Sequence, residues 1–109
     1  MRLQLAWIQT FSATSPVPPG VDVIRGVGGA GGITLTIAAN AYQAQPASGV
    51  TVTAYETFKA IKIDAAAGAV VFVDSTGALF NGTSSYELVN QYQWAEFAWN
   101  GASWDVWGN

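Results

Sequence analysis

Residues 93 to 109 read Gln-Trp-Ala-Glu-Phe-Ala-Trp-Asn-Gly-Ala-Ser-Trp-Asp-Val-Trp-Gly-Asn, two alternating stretches on either side of an Asn-Gly pair. Period-two alternation sends successive side chains to opposite faces of a strand, and Asn-Gly supplies the backbone a tight turn needs. The segment therefore predicts a β-hairpin. Four of the five tryptophans lie in it.

Two loop lengths are open, and they share one parity. A two-residue loop sets Phe97 opposite Trp104 and Glu96 opposite Asp105. A four-residue loop sets Trp99 opposite Trp104 and Phe97 opposite Val106. The registers differ by an even step, so both put Ala95, Phe97, Trp99, Trp104 and Val106 on one face. Both put Trp94, Glu96, Asp105 and Trp107 on the other. Directly opposed carboxylates repel, which favours the longer loop. The first face reads as core. The second mixes two large aromatics with two acids. It reads as a ligand surface, as a face covered by a partner, or as tryptophans half-buried under loops of the same chain.

Composition narrows the class. The chain has 109 residues, so one domain is the expectation. Hydrophobic residues make up 50% and charged residues 10%. A surface so poor in charge points either to cover by another subunit or to outward-facing Thr, Ser, Asn and Gln supplying the polarity. No stretch approaches the roughly 18 unbroken apolar residues of a membrane helix. Four basic residues stand against seven acidic ones, for a net charge of −3. Arg2, Arg25, Lys59 and Lys62 form no basic run, so nucleic acid is not the expected partner. The opening Met1 to Gln9 makes a poor signal peptide and reads as a strand or arm.

Along the chain, residues 3 to 9 alternate and predict a strand. Ser15-Pro16-Val17-Pro18-Pro19-Gly20 then predicts a stiff elbow that cannot join a ladder. Residues 1 to 20 thus read as an N-terminal arm, reaching a neighbour or folding back on its own domain, with a single β domain over 21 to 109. Val21 to Arg25 predicts a short strand. Gly26 to Gly31 matches G-x-G-x-x-G literally. A dinucleotide site needs a helix next, and Ile33-Thr34-Leu35-Thr36-Ile37 is a strand pattern instead. The glycines read as a turn or a close backbone approach.

Further strands are expected over 33 to 37, with Ile33, Leu35 and Ile37 on one face, and over 50 to 54, after a loop at 40 to 49 that holds Pro46. Another is expected over 57 to 64, with Lys59, Ile61 and Ile63 as its core stripe and Phe58, Ala60 and Lys62 opposite. Ala65 to Gly68 reads as a brief helical turn. Residues 69 to 73 read as a strand buried on both faces, followed by a turn at 74 to 77, a strand at 78 to 80, an Asn81-Gly82 hairpin and a strand at 85 to 89. No internal repeat of fixed period emerges. Short strands with turn chemistry between them predict an all-β domain: a small antiparallel sandwich or barrel, or a β-prism.

Several chemistries are absent. There is no His and no Cys, so no Ser–His–Asp triad and no imidazole or thiolate zinc site can be built. Asp64, Asp74 and Asp105 lack calcium-loop spacing. No spacing singles out a carboxylate pair such as Glu87 and Glu96 for glycoside hydrolysis. Asn81-Gly82-Thr83 is formally a glycosylation acceptor, but the hairpin explains it. No enzyme, metal or cofactor is expected.

The segment Ala78-Leu79-Phe80-Asn81-Gly82-Thr83-Ser84-Ser85-Tyr86-Glu87-Leu88, then Phe97-Ala98-Trp99-Asn100-Gly101-Ala102-Ser103-Trp104-Asp105-Val106, resembles a recurrent ending of bacteriophage virion proteins. It is similar to domains of tail fibres and of small capsid decoration, or cement, proteins, over roughly residues 57 to 107. The resemblance implies a β-rich homotrimer at the capsid surface that binds the major capsid protein and stabilises the head shell. It implies core or trimer packing for Tyr86, Leu88, Phe97, Trp99, Trp104 and Val106. A chain of 109 residues beginning at Met1 is expected to be free-standing, which favours the shell over a fibre module. The alternative is a fibre or spike module binding a glycan receptor. Trp94, Trp107, Glu96, Asp105 and Trp7 are the candidate contacts to a partner or glycan.

Overall fold

The structure, a computed structural model, describes residues 5–38, 41–44 and 52–109, with backbone alone for 41–44 and 52–55. It is all-β. The described residues form eleven strands, in chain order β1 (Ile8–Phe11), β2 (Ser15–Pro16), β3 (Val23–Gly26), β4 (Ile33–Ile37), β5 (Ala41–Ala44), β6 (Val52–Tyr55), β7 (Thr57–Lys62), β8 (Val70–Asp74), β9 (Tyr86–Leu88), β10 (Trp94–Trp99) and β11 (Trp104–Gly108). One sheet has the order β1-β3-β7-β10-β11, a second the order β2-β4-β8-β9, and β5 pairs with β6.

The antiparallel expectation holds for only half of the ladders. β1–β3, β3–β7, β2–β4 and β4–β8 are all parallel. The chain changes sheet after each of its early strands, so successive strands of one sheet point the same way. Three pairs, β1/β2, β3/β4 and β7/β8, thus stack like rungs of a flattened coil. The antiparallel β9, β10 and β11 complete both sheets.

The sheets pack through alternate residues. Phe72 of β8 lies 4.8 Å from Phe97 of β10, and Phe58 of β7 stacks on Phe97 at 4.6 Å with an 8° tilt. Ile24, Leu35, Val70, Phe80, Leu88 and Ala95 fill the space around them. The Ile33, Leu35 and Ile37 stripe is buried, as its alternation predicts.

The β7 parity is the reverse of expectation. Phe58, Ala60 and Lys62 face the core, while Lys59 is exposed and Ile61 and Ile63 are half-buried. Phe58 commits the strand through its ring contacts. Burying Lys62 is tolerated because its charge is paired and its donors are used. Its Nζ donates to the carbonyls of Asp64 (2.7 Å) and Ala66 (2.8 Å) and lies 3.0 Å from Asp64 Oδ1.

That carboxylate also accepts the Gly28 and Gly29 amides at 3.0 Å each. The Lys62 hydrogen bond first, then the Gly28 amide, hold the Asp64 carboxyl at about 2, below its usual 3.8. The two corner loops stack, with Gly68 N donating to Gly29 O at 2.7 Å. A Cβ on Gly28 would run into the Gly68 carbonyl. The glycine run is therefore a close approach, and it forms no helix. Residues 65–68 form a bend rather than the expected helical turn.

The N-terminal elbow also differs from expectation. Among the described residues strand pairing starts at Ile8; the part of the expected strand at residues 3 and 4 lies outside them. Phe11 is buried. Ser15 and Pro16 do join a ladder, opposite Leu35 and Thr36, and Val17 N donates to Thr36 O at 2.8 Å. Proline is tolerated because β2 is an edge strand, where its missing N–H faces no neighbour. Residues 8 to 17 thus fold back onto the chain's own sheets.

Part of the loop expected over 40 to 49 is strand β5; residues 45–51, with Pro46, lie outside the described residues. Val71 and Val73 are only half-buried, because the second sheet packs on one face. Residues 78 to 80 form no strand; Phe80 makes single bridges to Thr83 and Trp104. Asn81 (φ 49°) and Gly82 (φ 86°) form the expected tight turn between Phe80 and Thr83.

Candidate functional site: the open face of the five-stranded sheet

The terminal hairpin has the four-residue loop. Trp99 pairs with Trp104, Phe97 with Val106 and Glu96 with Trp107. Asn100 locks the loop. Its Oδ1 accepts the amides of Ala102 (3.0 Å) and Ser103 (2.9 Å), and its Nδ2 donates to Asp105 Oδ1 (3.0 Å). In this register Glu96 lies across from Lys59 on its other side, not across from Asp105. Opposite charges thus become cross-strand neighbours.

Every residue expected to pack a core or a trimer packs within this chain. Leu88, Phe97, Trp104 and Val106 are buried, and Tyr86 and Trp99 are partly buried against them. Tyr86 meets Phe97 edge-on at 5.6 Å, and Trp99 meets Trp104 at 5.3 Å. Trp104 Nε1 donates to Asp74 Oδ2 at 2.9 Å, deep in the structure. Burial raises the Asp74 carboxyl, but bonds from Thr76, Trp104 and Ala78 outweigh it and hold the group below its usual range.

The opposite parity builds an open face. Across the sheet, Ile8, Val23, Lys59, Glu96 and Trp107 align in one row. Thr10, Arg25, Ile61 and Trp94 align in the next. Trp94 is 41% exposed, Trp107 49% and Ile8 58%. No loop among the described residues covers this face enough to bury either tryptophan. Beside the first row lies a groove of about 460 Å³, lined by Leu5, Ala6, Asp22, Val23, Lys59 and Glu96 among others.

The five expected contact residues are not one cluster. Trp107 and Glu96 are direct partners and Trp94 is two residues from Glu96 along β10. Asp105 stands at the loop end, held by Asn100. Trp7 is at the far edge, before β1, and its backbone N–H donates to Asp22 Oδ2 at 2.7 Å. Sequence reasoning missed Ile8, Val23 and Ile61 as parts of the face. Their alternation marks strands, but only the parallel pairing brings them into line with the tryptophans.

The two edges of this sheet are treated differently. Along β11, Trp104 N donates to Leu79 O (2.9 Å) and Trp104 O accepts Asn81 N (3.1 Å). The Asn81 side chain then serves Val106 as a neighbouring strand would: Nδ2 donates to Val106 O (2.7 Å) and Oδ1 accepts Val106 N (2.9 Å). Val106 thus has both backbone groups satisfied. Along β1, Trp7 O and Phe11 O accept amides of β3 and the residue following it, so Ile8 and Thr10 turn their backbone groups outward. No partner meets them among the described residues.

The chain matches no family model, no curated protein and no solved structure. The candidate site therefore rests on geometry. Among the described residues no group of three or more acidic side chains gathers to hold a metal. What the face offers is area: aromatic and aliphatic side chains interrupted by Lys59, Arg25 and Glu96, beside a strand edge that no described residue pairs.

Proposed function

We propose that this chain is a structural virion protein, a decoration protein that seats on a phage head shell as a homotrimer and clamps neighbouring shell subunits. The observation that carries this reading is the open face, where Trp94, Trp107 and Ile8 stay about half exposed after the chain has satisfied its own core. Exposed apolar surface of this kind marks contact with other protein. Each square ångström of it buried contributes about 25 cal/mol to adhesion. Three copies acting together turn weak contacts into firm attachment. The β1 edge, which no described residue pairs, supports the same reading, since it offers backbone hydrogen bonds to an added strand. The resemblance of residues 78–88 and 97–106 to virion proteins supplies the shell as the surface bound.

The test uses head particles assembled without this chain, mixed with purified protein and imaged by cryo-electron microscopy. The expected result is three-fold density at fixed sites where shell subunits meet. Particles that stay bare at saturating protein would overturn the proposal.

A further inference from the structure

The loop joining β9 to β10 is built more firmly than a connection needs to be. Tyr92 adopts φ 63°, a left-handed conformation uncommon for a residue with a Cβ. Its N–H donates to Lys62 O at 2.6 Å. Gln93 Oε1 accepts the amides of Val89 (2.7 Å) and Asn90 (3.1 Å), while Gln93 O accepts Lys62 N at 3.0 Å. Gln91 Nε2 donates to Ile63 O at 3.3 Å. Asn109 Oδ1 accepts Trp94 N at 2.8 Å. Asn90, Gln91, Tyr92, Gln93 and Asn109 together line a depression of about 300 Å³.

The chemistry of that lining is specific. It holds four carboxamides and one phenol, and no charged side chain. Three of the amides have one end tied to the protein, which orients the other. Gln93 and Asn109 are left with an N–H₂ donor, and Gln91 with a carbonyl acceptor. The Tyr92 ring stands beside them, 61% exposed and held out by its strained backbone. Dense neutral donors and acceptors next to an aromatic ring match a ligand with many hydroxyls and an apolar face. A phosphate or carboxylate would find no counter-charge there.

We infer that this depression binds a neutral glycan, with Tyr92 stacking on a sugar ring and Asn90, Gln91, Gln93 and Asn109 bonding its hydroxyls. The site adjoins the open face at Trp94 but shares none of its residues, and it stands or falls independently of the role on the head shell. Backbone strain kept at an exposed residue is a sign of function, because folding alone would favour glycine at that position.

The test is native electrophoresis of the full chain through gels cast with neutral polysaccharides (dextran, mannan, galactan) and, separately, with acidic hyaluronan. Retarded migration is expected in at least one neutral gel and not in hyaluronan. Tyr92→Gly relieves the strain, so its melting temperature should hold or rise while the retardation weakens at least tenfold. Asn90→Ala with Gln91→Ala should weaken it similarly. Unretarded migration in every gel, or retardation that Tyr92→Gly leaves unchanged, would overturn the inference. Tyr92→Gly should leave attachment to head particles intact, which separates this result from the shell test.

Discussion

Two aspartates show how single residues hold this molecule together. Asp64 ties a buried lysine to two glycine amides, and its carboxyl sits at about 2 instead of 3.8. A carboxyl lowered on folding stabilises the fold above its unfolded value, and that contribution is lost as pH falls through the folded one. The Asp64 share is therefore complete above about pH 4 and disappears between about pH 4 and pH 2. Thermal melts from neutral pH down through this range should show Asp64→Asn below wild type at neutral pH, with the gap closing toward about pH 2. Asp74 does a different job, accepting the buried Trp104 indole at 2.9 Å while closing the turn through Thr76 and Ala78. Asp74→Ala leaves that N–H without an acceptor and should cost about 2 kcal/mol, read from urea unfolding. Neither role was visible in the sequence. Lys62 sits at a strand end and Asp64 in the corner after it, and their value arises only when a second glycine corner stacks above them.

At the scale of elements, the terminal hairpin was the most legible part of the chain. Its alternation gave the two faces, and repulsion between Glu96 and Asp105 decided the register that is observed. Phe97, touching Phe58, Phe72, Phe80 and Tyr86 rings, anchors the core from this hairpin. Phe97→Ala should lower stability by about 4 kcal/mol in the same denaturant assay. Strand β7 misled because Lys59, Ile61 and Ile63 look like a core stripe, whereas Phe58 and a satisfied Lys62 decide the parity. The elbow misled because a proline forbids one hydrogen bond, not an edge position. Asn81 has a role that its hairpin signal hides, since its side chain blocks the β11 edge. Asn81→Ala should reduce stability by about 1 kcal/mol. It should also speed aggregation, followed by turbidity at constant temperature, because the uncovered edge accepts other strands.

For the whole molecule, an all-β fold followed from short strands and turn chemistry, but the parallel rungs did not. Fifteen residues separate Ile8 from its partner Val23, and thirty-six separate Val23 from Lys59, because the β5–β6 segment lies between the later rungs. With unequal spacing the coil leaves no period in the sequence. That same stacking gathers residues from five strands into one open face, and on it the proposed role depends. Trp94→Ser and Trp107→Ser should each cost no more than about 1 kcal/mol of stability, since both side chains stay only about half covered. Their cost should fall on association instead. Light scattering of the purified chain across a wide concentration range tests this most directly. The account predicts an assembly of three 11.4 kDa copies that loosens in the double variant, whereas a wild-type mass of 11.4 kDa at every concentration would contradict it.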